Sequence, residues 1–506
     1  MKFRSRFLSS LIALLVAFAV IAPATIAAFG QKEGGTKGAQ PAAWEEVAKR
    51  IERVESTLMP ATIIKGKAPG MKLADRMAHY KVPGLSVAVI NEGKIEWARS
   101  YGVAEAGSEG VVSIDTLFQA ASISKPVAAL GALRLVERGK LTLDDDVNQR
   151  LRSWRVPESE FTKTKKVTLR GLLSHSAGTT VHGFRGYAEG EQVPTLPQLL
   201  DGIKPANSAP VRVDLEPGSR WRYSGGGISI AQLLMSDVTG KPFPEYMREA
   251  VLGPAGMRRS TYQQPLPESR SGQAAAGHTA QGEIVKGRWH TYPEMAAAGL
   301  WTTPSDLARF AIEVQRAFAG RSNKIISKKM AAEMLKVQSG SYGLGFNLTG
   351  AGRDLAFSHG GSNVGFKCQL FAYAETGQGA VLMANGDLGA PLIEELLRAI
   401  AKEYNWPHYR VKEKAVVAVD AKLFADYVGE YESGPRRITI SADGGRLFLV
   451  ALPFGREKVE MFAESDSDYF IQLDDIQFSF VRDASGKVTE MIVRPRGQES
   501  RFKKIK

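Results

Sequence analysis

Leu117-Phe-Gln-Ala-Ala-Ser-Ile-Ser-Lys-Pro126 holds a serine and a lysine three residues apart, Ser122 and Lys125. A serine hydroxyl is a poor nucleophile at neutral pH and needs a neighbour to take its proton. A lysine held in its neutral form can do this. On a helix, residues three apart lie on one face, within reach of each other. From Ile123 the apolar residues Val127, Leu130, Leu133 and Val136 recur with helical period. Pro126 fits the first turn, where its missing N–H costs nothing, and Gly139 closes the helix. Ser122 is therefore expected at a helix N-terminus, where the dipole and free N–H groups favour negative charge on a bound group. The spacing alone does not discriminate, because Ser500 and Lys503 repeat it. Lys503 belongs to an alternating, strand-like segment, and a strand turns residues three apart to opposite faces.

Upstream, residues 44–58 and 71–79 have helical amphipathic spacing. Pro83-Gly-Leu-Ser-Val-Ala-Val-Ile90, Asn91-Glu-Gly-Lys94 and residues 95–101 spell strand, turn and strand. Thr302-Thr-Pro-Ser-Asp306 is a capped start for a helix running to about Phe318. Past residue 412 the texture changes to short alternating segments with turns at Asp443-Gly-Gly445 and Asp483-Ala-Ser-Gly486. Short, evenly spaced strands of this kind predict a small antiparallel barrel or sandwich over 412–506.

Composition is ordinary for globular proteins, with 506 residues, 44% hydrophobic and 24% charged. Residues 1–28 stand apart. Lys2, Arg4 and Arg6 precede an apolar run from Phe7 to Ala22 and then small residues, the layout of a secretory signal peptide; the alternative is an uncleaved membrane anchor. Residues 29–42 are polar and glycine-rich, a flexible spacer. The single cysteine, Cys368, forbids an intramolecular disulfide and is expected to be buried. An exported protein of the periplasm or the medium follows from these features. The formal charge of +13 includes the three leader cations, and the other lysines and arginines are interspersed with acids. Nucleic acid is not an expected partner, since it calls for a basic stripe. Membrane contact is expected only through an uncleaved leader.

Three further features surround the Ser122 reading. Arg220-Trp-Arg-Tyr-Ser-Gly-Gly-Gly227 is an aromatic approach to a glycine-rich loop, and Tyr223 is a candidate proton relay there. Phe357-Ser-His-Gly-Gly-Ser-Asn363 joins His359 to Gly360 and Gly361, whose lack of side chains lets backbone N–H groups approach a bound oxygen. The order is nucleophile, tyrosine, then histidine-glycine. Asp144-Asp-Asp146 reads as a solvated turn and His175 as a loop-holding histidine. Metal and nucleotide cofactors are not expected: no His-x-His, His-Glu-x-x-His, P-loop or Gly-x-Gly-x-x-Gly motif occurs.

These motifs together resemble the serine beta-lactamase and penicillin-binding protein superfamily, in its class C-like, esterase-related branch. The resemblance runs over roughly residues 44–405 and includes Val167-Thr-Leu-Arg-Gly-Leu-Leu-Ser-His-Ser-Ala-Gly178, Ala298-Gly-Leu-Trp-Thr-Thr-Pro304 and Tyr342-Gly-Leu-Gly-Phe346. The tail resembles a lipocalin-like β-domain often appended to such hydrolases. The fold implied is α+β: an antiparallel sheet flanked by helices and an all-helical lobe over 43–405, then a β-barrel over 412–506.

The resemblance implies Ser122 as nucleophile, Lys125 as its base, Tyr223 as the tyrosine of a Tyr-x-Asn motif and His359-Gly360-Gly361 in place of Lys-Thr-Gly. The oxyanion would rest on the backbone N–H groups of Ser122 and Ser362. Two departures matter. Gly225 stands where the family's asparagine donates to the substrate amide, and His359 replaces a lysine that helps hold the substrate carboxylate. Neutral histidine is the weaker anion partner. The expected activity is cofactor-independent acyl transfer on a small ester, lactam or peptide, esterase-like or D-amino-acid-peptidase-like, with Lys125 assisted by Tyr223 and with Tyr223 or His359 passing the proton to the leaving group. The alternatives are a weak beta-lactamase or D-alanyl-D-alanine carboxypeptidase and, from another class, a non-catalytic envelope protein that binds peptides. An α/β-hydrolase is disfavoured by the absence of a Gly-x-Ser-x-Gly elbow. Substrate identity, the role of the β-domain and oligomeric state are not legible.

Overall fold

The strand Gly84–Asn91 carries apolar residues at every position from Leu85 to Ile90 except Ser86, and both of its faces are buried. Leu85, Val87 and Val89 enter one core; Ala88 and Ile90 enter another. That split follows from the two-residue period of a strand and makes this the inner strand of a sheet covered on both sides. The computed structural model describes residues 41–67, 70–451, 458–495 and 497–506. The expected leader and most of the spacer fall outside them; the spacer's last two residues begin the helix Pro41–Ser56. No helix among the described residues is long and apolar enough to cross a membrane.

The main sheet has six antiparallel strands in the order Lys94–Gly102, Gly84–Asn91, Gly379–Ala384, Phe366–Tyr373, Ala356–Asn363 and Asn347–Thr349. The helix Gly389–Glu403 packs on one face together with Leu73–His79. Pro304–Phe318 packs on the other, its N-terminus capped as expected by Thr303, whose side chain accepts from the N–H of Asp306. Beyond that second face lies the helical lobe, built around Ser124–Glu137 and Gly225–Thr239. Ser124–Glu137 is buried nearly all round, which is why its sequence carries so few polar residues.

The C-terminal strands close into an eight-stranded antiparallel barrel, from Gly429–Ser433 to Ser500–Lys504, the last pairing with the first. Its interior is filled by side chains at alternate positions, among them Tyr431, Ile440, Leu447, Leu449, Tyr469, Phe478, Phe480 and Phe502. The Ser500 and Lys503 pair lies on this final strand. The barrel is tied to the hydrolase region through a two-stranded parallel ribbon that the sequence does not announce: Thr62–Ile64 pairs with Lys412–Lys414. The N–H of Thr62 donates to the carbonyl of Gln472 at 3.2 Å, and Leu473 packs against the cores of both parts.

Candidate active site

Ser122 is the middle residue of a single 3₁₀ turn, Ala121–Ile123, that runs directly into the helix Ser124–Glu137. The turn is bent by Ala121, a non-glycine residue at φ +47°. A left-handed alanine costs about 1–3 kcal/mol and persists only where its surroundings over-determine it. Those surroundings are visible. The Ser124 hydroxyl donates to the carbonyl of Ala121 at 2.5 Å and accepts from the N–H of Leu300 at 3.0 Å, while Ala120 donates to the carbonyl of Leu300 at 2.8 Å.

Lys125, 2% exposed, turns its ammonium back onto this turn. Its Nζ donates to Ser122 Oγ at 2.9 Å and to the carbonyl of Ala297 at 2.8 Å, and lies 4.9 Å from the centre of the Tyr223 ring. The contact with Tyr223 is thus with the ring face. Ala297 belongs to the turn Met295–Ala298, opened by Glu294, a fully buried carboxyl that burial pushes up to about 8. The acid is neutral at pH 7 and adds no anion to that turn.

The strand Ala356–Asn363 runs against the turn carrying Ser122 and brings His359, Gly360, Gly361 and Ser362 to it. His359 is 4% exposed, and its Nδ1 donates to the carbonyl of Gly360 at 2.6 Å. That bond fixes the tautomer: Nδ1 carries the proton and Nε2, buried and without a hydrogen-bond partner among the described residues, carries the lone pair. Burial first, and then the charge of Lys125, push the imidazole down to about 3. His175 is likewise held well below its ordinary value by burial and by Lys125; its Nδ1 accepts from the N–H of Ser224 at 3.2 Å. Tyr223 stacks between these groups, 4.3 Å from the His175 ring and 6.2 Å from that of His359.

Gly225 departs from the substrate-binding role expected for its position. Its N–H donates to the carbonyl of His182 at 3.0 Å, and a Cβ there would stand 3.0 Å from the ring of Phe184 and 3.2 Å from that carbonyl. The segment carrying His182 and Phe184 occupies the space an asparagine side chain would need. Asp144 and Asp146, expected only as a solvated turn, have partners: the first holds Arg170 and the second caps the next turn.

Sequence reasoning missed a second layer. The Asn363 amide, 5% exposed, donates to Gln119 Oε1 at 2.8 Å and to the carbonyl of Ala298 at 3.1 Å. It joins the strand edging the site to the segment before the nucleophile and to the turn that holds Lys125. Cys368 is buried as expected, and its thiol also donates to the carbonyl of Ala120 at 3.0 Å. A local signal for either role is lacking, because each partner lies far away in sequence.

The neutral His359 makes the fold acid-sensitive with a definite sign. In the unfolded chain the imidazole takes up its proton near pH 6.5, whereas in the folded protein it stays neutral to about pH 3. The unfolded state therefore binds more protons below pH 6.5, and stability falls as pH falls. His175 acts in the same direction, and the depressed carboxyls of Asp144, Asp214 and Glu333 lose their contribution at lower pH still. Between pH 7 and 4.5 we expect His359→Gln to flatten the decline in melting temperature, by the equivalent of about 2 kcal/mol. Parallel curves for the two proteins would contradict the burial of a neutral imidazole.

A family model described as Beta-lactamase matches residues 72–405, and one described as Domain of unknown function (DUF3471) matches residues 413–504. The chain is similar to Penicillin-binding protein 4* of Bacillus subtilis (strain 168), at 23% identity over 421 residues, covering 78% of this chain and 89% of that protein. It is also similar to D-aminopeptidase of Brucella anthropi, at 24% identity, covering 77% and 71% of the two chains. Similarity to Esterase EstB of Burkholderia gladioli reaches 30% identity over 217 residues, 41% of this chain and 53% of that one.

Proposed function

The chain belongs to the beta-lactamase family of serine hydrolases, and from that premise we propose that it is an exported acyl-transfer enzyme acting on ester or amide carbonyls that carry no neighbouring carboxylate. The observation that carries this reading is the 2.9 Å contact between Lys125 Nζ and Ser122 Oγ on a turn held by hydrogen bonds to Leu300 and Cys368. Ser122 Oγ attacks the carbonyl carbon as Lys125 takes the hydroxyl proton. The oxyanion that forms rests on the backbone N–H groups of Ser122 and Ser362, each donor lowering the barrier by about 3 kcal/mol. Collapse breaks the bond to the leaving alcohol or amine, which receives the proton from Lys125 with Tyr223 beside it. Water then attacks the acyl-enzyme, giving up its proton to Lys125, and the carboxylic acid leaves as Ser122 regains its hydrogen.

Two observations support a substrate without a carboxylate near the scissile bond. His359 stands where a cation would hold one, and it is a neutral acceptor down to about pH 3. His359 is therefore no proton carrier at neutral pH, which leaves that task to Lys125 and Tyr223. The N-terminus of the Gly225–Thr239 helix is closed over by His182 and Val181, whose carbonyls accept its first N–H groups. Relatives named as an esterase and a D-aminopeptidase are consistent with this choice. The layout of residues 1–28 supports export.

The test compares the purified protein with Ser122→Ala. The wild type is expected to be labelled by a fluorophosphonate probe and to turn over neutral short-chain esters at least tenfold faster, in kcat/KM, than a chromogenic cephalosporin or a D-alanyl-D-alanine peptide. The variant is expected to do none of these. Labelling or turnover that survives the substitution removes Ser122 from the mechanism. A preference for the carboxylate-bearing substrates replaces this reading with a beta-lactamase or carboxypeptidase, and silence of the wild type with every reagent favours a binding protein.

A further inference from the structure

Trp221 is a large apolar side chain left 41% exposed in a region whose other aromatic rings are mostly covered. It is not loose. Gly340, at φ +58°, lies so close that a Cβ there would stand 3.3 Å from both Cβ and Cγ of the tryptophan, so the loop backbone packs against the root of the indole. The indole also meets the Tyr342 ring, with centroids 5.5 Å apart and planes tilted by 34°. Trp221 is also 6.5 Å from Tyr223, and Tyr342 is 6.2 Å from His359. A run of rings therefore extends from the solvent to Tyr223, whose face carries Lys125 Nζ. The imidazoles of His359 and His175 among these rings are neutral, and Arg222 beside Trp221 is paired with Asp214.

A half-exposed indole packed among the rings that lead to Tyr223 is suited to one kind of ligand group. Flat apolar groups gain from burial and from offset or edge-on ring contact. The ring contacts of Trp221 and Tyr342 are with uncharged groups, and a charged group bound against them would lose hydration. We propose that Trp221 and Tyr342 form a subsite for an uncharged aromatic group of the substrate, carried on one side of the scissile carbonyl. The inference rests on the hydrolase reading above and adds to it the chemical class of the group recognised.

Three esters separate the possibilities: ethyl acetate, without a ring; ethyl phenylacetate, with the ring on the acyl side; and benzyl acetate, with the ring on the leaving side. Acid release is followed in a pH-stat for wild type, Trp221→Ala and Trp221→Phe, with melting curves to confirm folding. In the wild type at least one ring-bearing ester should exceed ethyl acetate in kcat/KM. In Trp221→Ala that ratio should fall about tenfold, mainly through KM, and Trp221→Phe should restore most of it. The ester that responds identifies the side on which the ring sits. The subsite is overturned if both ratios are the same in wild type and Trp221→Ala, or if phenylalanine restores nothing. A wild type that hydrolyses ethyl acetate but ignores the rings overturns the subsite alone. A wild type that hydrolyses none of the esters and escapes the fluorophosphonate overturns the hydrolase reading and the subsite with it.

Discussion

Lys125→Met is expected to lower kcat/KM for any ester substrate by about 10³-fold, within the range that a positioned general base contributes. Methionine matches the length of the lysine stem and keeps its packing, so the change removes the amine and little else. Three contacts go with it: the hydrogen bond to Ser122 Oγ, the one to the carbonyl of Ala297 and the approach to the Tyr223 ring. The first is chemistry. Without it the Ser122 proton has no acceptor in contact, and the candidate oxyanion donors alone must supply the remaining rate. The second is structural, leaving one buried carbonyl unpaired at about 1–3 kcal/mol, a loss offset by placing an apolar side chain in a site that is 2% exposed. The melting temperature should therefore change by only a few degrees while the rate of fluorophosphonate labelling collapses. Lys125→Arg should be as poor as the methionine variant, because a guanidinium keeps its proton. Retention of more than a tenth of the wild-type kcat/KM by Lys125→Met would remove Lys125 from the proton transfer.

The contrast between what the sequence shows and what it hides follows from the range of the interactions. Ser122 and Lys125 are legible because a helix turns a spacing of three into a contact, and Pro126 and Gly139 mark where that helix starts and stops. The barrel is legible because alternation and Asp-Gly turns are local signals. The carbonyl that clamps Lys125 is not, since every residue has one, and Ala297 lies 172 positions away from its partner. Asn363 and Gln119 are equally silent: an amide is at home in any loop, and only the fold aims one at the other across 244 residues. Gly225 was legible as a lost donor. Its reason, the close approach of Phe184 and the His182 carbonyl, depends on a chain segment whose path has no local cue. The ribbon of Thr62–Ile64 with Lys412–Lys414 is too short to alternate.

Gly361→Ala should be nearly as damaging as the loss of the lysine, although one methyl group is all it adds. The strand carrying Ser362 and the turn carrying Ser122 meet at Gly361. A Cβ there would stand 2.4 Å from the carbonyl oxygen of Ala120, 2.3 Å from Cys368 Sγ and 3.2 Å from the Cβ of Ala121. The sulfur offers little escape, since its thiol is itself bonded to that same carbonyl. Relief requires the strand and the turn to separate by about 1 Å, and such displacements cost on the order of 100-fold when they fall between reacting groups. Here they pull apart the two N–H groups proposed to share the oxyanion, so kcat should fall by about 10²- to 10³-fold, with a loss of about 1–3 kcal/mol in stability from overpacking. Stability and rate can be separated. Adding Cys368→Ala removes the sulfur but leaves the backbone clash with Ala120, so the double variant should regain much of the melting temperature and little of kcat. Recovery of both together would mean that Gly361 matters only for packing. A Gly361→Ala enzyme with wild-type kcat would show that the strand and the nucleophile's turn need not be in contact for the reaction to proceed.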